Sequence, residues 1–385
     1  MIPYGRQDVT DEDISAVVDV LRSDFLTQGP AVPRFEDALL RKTGARHAVA
    51  MNSATSALHA ACVALGVGPG DVVWTSPITF VASANCAIYC GAGVDFVDID
   101  PVTVNLCPAA LAKKLNEAAA AGTLPKLVIA VHMAGQSPDM EEIAELCRRY
   151  SVGLIEDASH AIGASYRDSP VGSCRYSDVT IFSFHPVKIV TTGEGGAALT
   201  NDPAIADRMR LFRSHGITRD AARMEFEPHG PWYYEQISLG YNYRLTDIQA
   251  ALGVSQLERL EGYVEARHRL ADAYDGALAE LPLFLPPRLS DRRSAMHLYV
   301  VQINEELSPR TRSQVFESMR AAGIGVNVHY IPVHLQPFYR RRGFNPGAFP
   351  VAERYYERCI SLPMFSSLRT EDLRRVVDAL REGLV

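Results

Sequence analysis

Val179-Thr-Ile-Phe-Ser-Phe-His-Pro-Val-Lys-Ile-Val-Thr-Thr-Gly-Glu-Gly-Gly196 reads as an apolar strand that runs into a turn rich in hydroxyl and glycine residues, with a single lysine inside it. The chain has five lysines, Lys42, Lys113, Lys114, Lys126 and Lys188, among its 38 lysine and arginine residues. Four sit where solvated lysines usually sit. Lys188 follows the apolar run and has no Asp, Glu, Lys or Arg within five positions on either side. A lysine withdrawn from water loses part of its preference for the ammonium form, and the free amine can then attack an aldehyde. The same stretch also suits a lysine whose stem is buried while its head reaches solvent, so both readings stand at this point.

Outward from this stretch, short β-rich apolar runs alternate with helical segments between about residues 47 and 200. The runs are 72–75, 94–99, 127–131, 152–155 and 179–184, with 141–150 as one of the helices. Such alternation predicts an α/β fold with a mostly parallel sheet covered on both faces. Ligands of such sheets bind beyond the carboxyl ends of the strands. Near the start, Thr10 predicts an N-cap with Asp13 three residues on, and Ile14, Val17, Val18 and Leu21 form the apolar stripe of a helix. Beyond Arg244 the chain reads as long helices, from 246 to 260 and on toward 281. A proline-rich break, Leu281-Pro-Leu-Phe-Leu-Pro-Pro287, then leads to strands at 298–303 and 326–329 mixed with helices. We therefore expect a large domain over residues 1–250, including the N-terminal lead, and a smaller C-terminal α/β domain over 251–385.

Composition narrows the function classes. With 47% hydrophobic and 22% charged residues, the chain has the make-up of a soluble globular protein. Its net charge of -7 leaves no electrostatic footprint for nucleic acid, so an anionic ligand must be held by local groups. Arg292-Arg293 and Arg340-Arg341-Arg342 read as solvated surface or as the rim of a phosphate site. The seven cysteines show no metal-ligand spacing, and Cys86 and Cys90 fall in an apolar stretch that suits a core. A reducing, cytoplasmic setting is expected, with neither a signal peptide nor a membrane span.

Several residues around Lys188 admit a functional and a structural reading. Asn52-Ser-Ala-Thr-Ser-Ala-Leu58 follows an apolar run and opens a helix; small and hydroxyl residues there leave N–H groups free for a phosphate, though they also cap ordinary helices. Asp157, in Val152-Gly-Leu-Ile-Glu-Asp-Ala-Ser-His160, stands where a buried strand should end. It suits a helix N-cap, or a partner for a protonated ring nitrogen. Ser183 can bond a phosphate or satisfy a strand end, and Phe80 can be core or a stacking platform.

The order of these elements is that of pyridoxal 5'-phosphate (PLP) enzymes of fold type I, the aspartate-aminotransferase-like fold. Residues 182–196 resemble the lysine motif of the DegT/DnrJ/EryC1/StrS sugar aminotransferases. Leu26-Thr-Gln-Gly29, Asn52-Ser-Ala-Thr-Ser-Ala57, Glu156-Asp-Ala-Ser-His-Ala161, Gly240-Tyr-Asn-Tyr-Arg-Leu245 and His329-Tyr-Ile-Pro332 are similar to further motifs of that family. The resemblance implies a large domain with a mostly parallel central sheet, a smaller C-terminal α/β domain, and PLP-dependent nucleotide-sugar aminotransferase activity. It implies that Lys188 holds PLP as a Schiff base and then serves as general acid and base. Asp157 would pair with the pyridinium nitrogen, Phe80 would stack on the ring, and His160 would lie near its phenolic oxygen. The backbone of Ala54 and Thr55, with Ser183, would hold the phosphate. Asn242 would reach the phosphate of a second subunit, which implies a homodimer with shared active sites; otherwise it is a loop residue capping the next helix. Tyr4, Phe25, Leu26, Thr27, His329 and Tyr330 would contact the sugar nucleotide.

Many members of the family carry glutamine where this chain has His160. Histidine there, with Phe182-Ser-Phe-His185 and Val328-His-Tyr-Ile-Pro-Val333, is similar to the pseudaminic-acid branch of the family. That likeness implies L-glutamate as donor and amine transfer to C4 of a UDP-linked 4-keto-6-deoxy sugar. Related sugar dehydratases have histidine in place of the lysine, and Lys188 separates this chain from them. A dTDP-linked or 3-keto sugar is the alternative acceptor. A PLP-binding regulator without turnover is the remoter one, and the chain shows no basic domain or helix-turn-helix for it.

Overall fold

The computed structural model describes all of residues 1–385. Seven strands form the central sheet: β1 (His47–Met51), β2 (Val72–Thr75), β3 (Gly93–Phe96), β4 (Leu127–Val131), β5 (Gly153–Asp157), β6 (Val179–Ser183) and β7 (Gly196–Thr200). Their order is β1-β7-β6-β5-β4-β2-β3. The five strands β2 to β6 pair in parallel, and β7 runs antiparallel to both its neighbours, β6 and β1. The sheet is buried on both sides: Leu127 and Ile129 pack on one face, Val128 and Ala130 on the other. Each such fully buried branched side chain contributes roughly 1.5–3 kcal/mol relative to an exposed one. The fold is thus α/β with a mostly parallel sheet, as the alternating runs predict.

β7, Gly196-Ala-Ala-Leu-Thr200, has too little β-branched or aromatic content to announce itself as a strand. Its first residue shows why small side chains are used. A Cβ on Gly196 would lie 2.3 Å from the backbone nitrogen of Ala54, so only glycine lets the next helix approach. That helix is α3, described below with the site. Before it come α1 (Asp11–Leu21) and α2 (Ala31–Thr43).

The expected apolar stripe of α1 is not what it buries. Ile14 and Leu21 are exposed, whereas Asp13 and Val20 are buried. The buried Asp13 pairs with Arg259 and accepts a hydrogen bond from Gln256 Nε2 at 2.8 Å, which turns α1 onto the helix Asp247–Glu258. The side chain of Arg292, expected on solvated surface or at the rim of a phosphate site, is instead covered, held by Asp139 and Asp291 and stacked on Tyr166.

The helix Leu260–Leu278 joins two cores. Leu260, Tyr263 and Val264 pack with the large sheet, while Ala271, Tyr274 and Leu278 pack with a C-terminal cluster. Three antiparallel strands line that cluster: Leu283–Phe284, Tyr299–Ile303 and Cys359–Leu362. Ile2, from the N-terminal lead, belongs to the same cluster and is bridged to Ile324. The strand expected over 326–329 does not form. Asn327 makes one bridge to Ser361, and the chain then leaves the sheet so that His329 and Tyr330 face the large sheet. No helix is long and apolar enough to cross a membrane.

Candidate active site

The carboxyl ends of β1, β2, β5 and β6 open into one cavity of about 510 Å³, closed from the other side by residues of the C-terminal layer. Ten of the residues singled out in the sequence line it: Tyr4, Ala54, Thr55, Phe80, Asp157, His160, Ser183, Lys188, His329 and Tyr330. They span more than 300 positions of chain, and the strand ends are what bring them together.

The helix α3 (Ala54–Ala64) begins at the end of β1. Its N-cap Ser53 accepts a hydrogen bond from the backbone of Ser56 at 3.1 Å, which leaves the N–H groups of Ala54 and Thr55 without partners inside the helix. Both face the cavity, at the positive end of the helix dipole. Ser183, the last residue of β6, adds a hydroxyl to the same cavity. Together these donors make a cradle for a phosphate.

Asp157 is the last residue of β5 and is buried. Two hydroxyls hold its carboxylate: Ser83 donates to Oδ2 at 2.5 Å, and Ser159 donates to Oδ1 at 2.6 Å, with a further bond from the Ser159 N–H at 3.2 Å. Neither donor neutralises it, so a negative charge is presented to the cavity. Phe80 is 59% exposed at the cavity wall, 6.3 Å from Tyr330 between ring centroids, and so offers an uncovered aromatic face.

Lys188 is half-buried and its open surface belongs to the cavity. Burial pushes its amine down to about 8, with the negative charge of Asp157 acting in the opposite sense. Four histidines line the cavity with it, and burial lowers three of them, His160, His297 and His329. Burial, followed by the repulsion of Lys188, holds His160 well below its ordinary value. The same two causes push His329 down to about 3, and His297 is likewise lowered well below the usual range, first by burial. The Tyr330 hydroxyl lies 3.1 Å from His160 Nε2, and the ring of His297 lies 4.5 Å from that of His160. His160 Nδ1 is buried without a partner. Lys188 is the one lysine or arginine lining the cavity, with Asp157 and Glu194 as the acidic residues there.

The remaining sequence expectations fall elsewhere. Phe25 lines a separate cavity of about 490 Å³ beside α1. Leu26 accepts a hydrogen bond from the Asp247 N–H at 3.0 Å, and Thr27 is bridged to Thr246. This segment is strapped to the start of the helix Asp247–Glu258, which keeps all three residues out of the Lys188 cavity. Asn242, expected to serve a second subunit, does not line the cavity of its own chain; its carbonyl accepts from Asn52 Nδ2 at 3.4 Å. Conversely, Ser83, Ser159, Thr79, His297 and Asn327 belong to the site and were not anticipated. Ser159 carries the local signal of a hydroxyl two residues after an aspartate. His297 and Asn327 carry none, since only the packing of the C-terminal layer brings them in. No group of three or more His, Cys, Asp or Glu side chains is placed to hold a metal ion, and all seven cysteines are free thiols.

The residues fit PLP. A phosphate cradle, an exposed ring face, a carboxylate without a cationic partner and an amine with a lowered pKa line one cavity, and the close contact of Gly196 with Ala54 shapes the cradle.

Comparison with known proteins agrees with this chemistry. Residues 7–381 match the DegT/DnrJ/EryC1/StrS aminotransferase family. The chain is 40% identical over 384 residues to the spore coat polysaccharide biosynthesis protein SpsC of Bacillus subtilis (strain 168), covering 99% of this chain and 96% of the relative. It is 38% identical over 382 residues to the UDP-4-amino-4,6-dideoxy-N-acetyl-beta-L-altrosamine transaminase of Campylobacter jejuni, again covering 99% and 96%. Among solved structures, Helicobacter pylori PseC, an aminotransferase involved in the biosynthesis of pseudoaminic acid, superimposes with a TM-score of 0.91 at 33% identity, covering 100% of this chain and 99% of that one. The chain belongs to the DegT/DnrJ/EryC1/StrS aminotransferase family, and it is a PLP-dependent nucleotide-sugar aminotransferase.

Proposed function

We propose that this aminotransferase takes its amine from L-glutamate and delivers it to C4 of UDP-2-acetamido-2,6-dideoxy-β-L-arabino-hexos-4-ulose, giving UDP-4-amino-4,6-dideoxy-N-acetyl-β-L-altrosamine. The observation that supports it is the likeness, along nearly the whole chain, to the C. jejuni transaminase and to H. pylori PseC. A second acceptor, another UDP- or dTDP-linked keto sugar, remains the competing reading, since the B. subtilis relative is at least as similar.

PLP bound in the cavity supplies an electron sink for the carbanion left when a C–H bond beside nitrogen is broken. The phosphate would rest on the N–H groups of Ala54 and Thr55 and on the Ser183 hydroxyl. The Asp157 carboxylate, fixed by Ser83 and Ser159, would hold a proton on the ring nitrogen. Phe80 would orient the ring by its free face. Lys188 Nζ, with a pKa of about 8, can accept the proton from the donor's α-carbon and return one on the same side in the reverse direction. Tyr4, His329 and Tyr330 close the cavity from the C-terminal layer and would exclude water from the sugar.

The reading includes a homodimer in which Asn242 of one chain serves the phosphate of the other. Phe226, Trp232 and Leu239, in the segment leading to Asn242, are all strongly exposed in the single chain, as a surface awaiting cover would be.

Two outcomes are expected. Because only the neutral amine attacks an aldehyde, capture of PLP by the apoprotein should quicken as pH rises and level off above about 8. Stopped-flow absorbance between pH 6 and 10 measures this, and a pH-independent rate contradicts it. Supplied with glutamate and a panel of UDP- and dTDP-linked keto sugars, the enzyme should aminate the L-arabino-hexos-4-ulose most efficiently, with 2-oxoglutarate released. Mass spectrometry of the products decides, and no turnover of that sugar refutes the proposed acceptor.

A further inference from the structure

Behind Asp157, on the opposite face of the sheet, lies a buried acid–base pair that the chemistry above does not use. Successive side chains of a strand point to opposite faces, so Glu156 points away from the cavity that Asp157 faces. Its Oε2 lies 2.9 Å from His132 Nε2, and both side chains are buried. Its Oε1 accepts hydrogen bonds from Ser177 Oγ at 2.6 Å and Thr180 Oγ1 at 3.3 Å. His132 is the first residue after β4, and its backbone N–H donates to the Asp157 carbonyl at 3.0 Å. The two residues thus lie against each other and tie the carboxyl ends of β4 and β5 to the start of β6, at the level where the Asp157 carboxylate emerges.

The charge state follows from the contacts. Burial alone would raise the Glu156 carboxyl, but His132 beside it and the hydroxyls of Ser177 and Thr180 outweigh it and hold the group below the usual range. Both ring nitrogens of His132 are buried without a well-aligned hydrogen bond, so its 2.9 Å approach to Glu156 is a short-range electrostatic contact. A buried ionised group is an expensive way to fill a core, and apolar residues of similar volume would do it at lower cost.

We propose that His132 and Glu156 are positioning residues for Asp157: by locking the ends of β4 and β5 from behind, they hold the Asp157 carboxylate at the orientation that the ring nitrogen of PLP requires. The inference rests on the PLP reading of the cavity. Small displacements at such a site are costly, about 10²-fold in rate for a shift near 1 Å.

The test compares Glu156→Gln, His132→Leu and His132→Gln with the parent enzyme. The apoproteins are followed by circular dichroism and melting temperature, and after addition of PLP the pH midpoint of the visible cofactor band is titrated. In Glu156→Gln and His132→Leu a poorly held Asp157 should leave the ring nitrogen less protonated. The Schiff-base nitrogen then becomes more basic, and the midpoint should rise by roughly one unit. kcat should fall about tenfold or more, with KM for glutamate within about twofold. His132→Gln, which keeps a donor near the Nε2 position, should restore both. In an Asp157→Asn background, Glu156→Gln should add almost nothing, since the pair acts through Asp157. Should His132→Leu not fold, Glu156→Gln and His132→Gln decide. Variants that melt earlier yet keep the parent midpoint and kcat, or a full additional loss in the Asp157→Asn background, overturn the proposal. A parent protein that shows no visible band with PLP refutes the cofactor reading instead.

Discussion

Replacing Lys188 with alanine is expected to remove the visible absorption that PLP acquires on binding and to reduce turnover by about 10²–10⁴-fold or more. Lys188 is the one lysine lining the cavity, so no neighbour can take over as the amine nucleophile. His160, His297 and His329 are held neutral by burial, but none offers an amine to form the covalent link. Lys188→Arg should be equally impaired, because a guanidinium does not lose its proton in the accessible pH range. The fold should survive. An amine pushed down to about 8 is paying a desolvation penalty, and removing it should leave the melting temperature of the apoprotein unchanged or slightly higher. Absorbance spectra, single-turnover assays with glutamate and a melting curve check these points together. Normal activity in Lys188→Ala would remove the foundation of the mechanism.

Asp157→Asn is expected to bind PLP with nearly the parent affinity and to lose about 10²-fold or more in kcat, equivalent to ~2.7 kcal/mol or more of barrier. The asparagine oxygen can still accept from Ser83 or Ser159, so the side chain should stay in place. Ala54, Thr55 and Ser183, proposed to hold the phosphate, belong to other elements and are untouched. What disappears is the negative charge that keeps a proton on the ring nitrogen, and with it the electron sink. Equilibrium titration with PLP and steady-state kinetics separate the two effects. An unimpaired Asn variant would exclude the electron-sink role; a variant that fails to bind PLP would point to a structural one.

The functional residues legible in the sequence share one property: each stands at the end of an apolar run. Asp157 and Ser183 close β5 and β6, Ala54 and Thr55 open α3 just after β1, and Lys188 follows β6 by five residues. Strand ends in a parallel sheet point at the ligand, so local pattern was enough to nominate them. Ser83, His297 and Asn327 could not be nominated that way. Ser83 is buried in the first turn of a short helix, and the other two lie in the C-terminal layer, where only the packing against the sheet makes them face a cavity. The same limit shows in the misread elements. Ile14 and Leu21 fit a helical stripe, yet α1 is turned by the bond between Asp13 and Arg259, residues separated by most of the chain. Residues 326–329 have strand-forming side chains, but only Asn327 finds a partner in Ser361.

Sequence by itself therefore determined the α/β class and the mostly parallel sheet, because hydrophobic periodicity acts over a few residues, and the motif order placed Lys188, Asp157, Ser183 and the start of α3 as candidates. Tertiary structure alone decided the lowered pKa of Lys188, the neutrality of His160, His297 and His329, the two hydroxyls fixing Asp157 and the pair behind it. Desolvation and hydrogen bonding depend on which distant surfaces close over a group, and that is settled only when the C-terminal layer packs against the sheet.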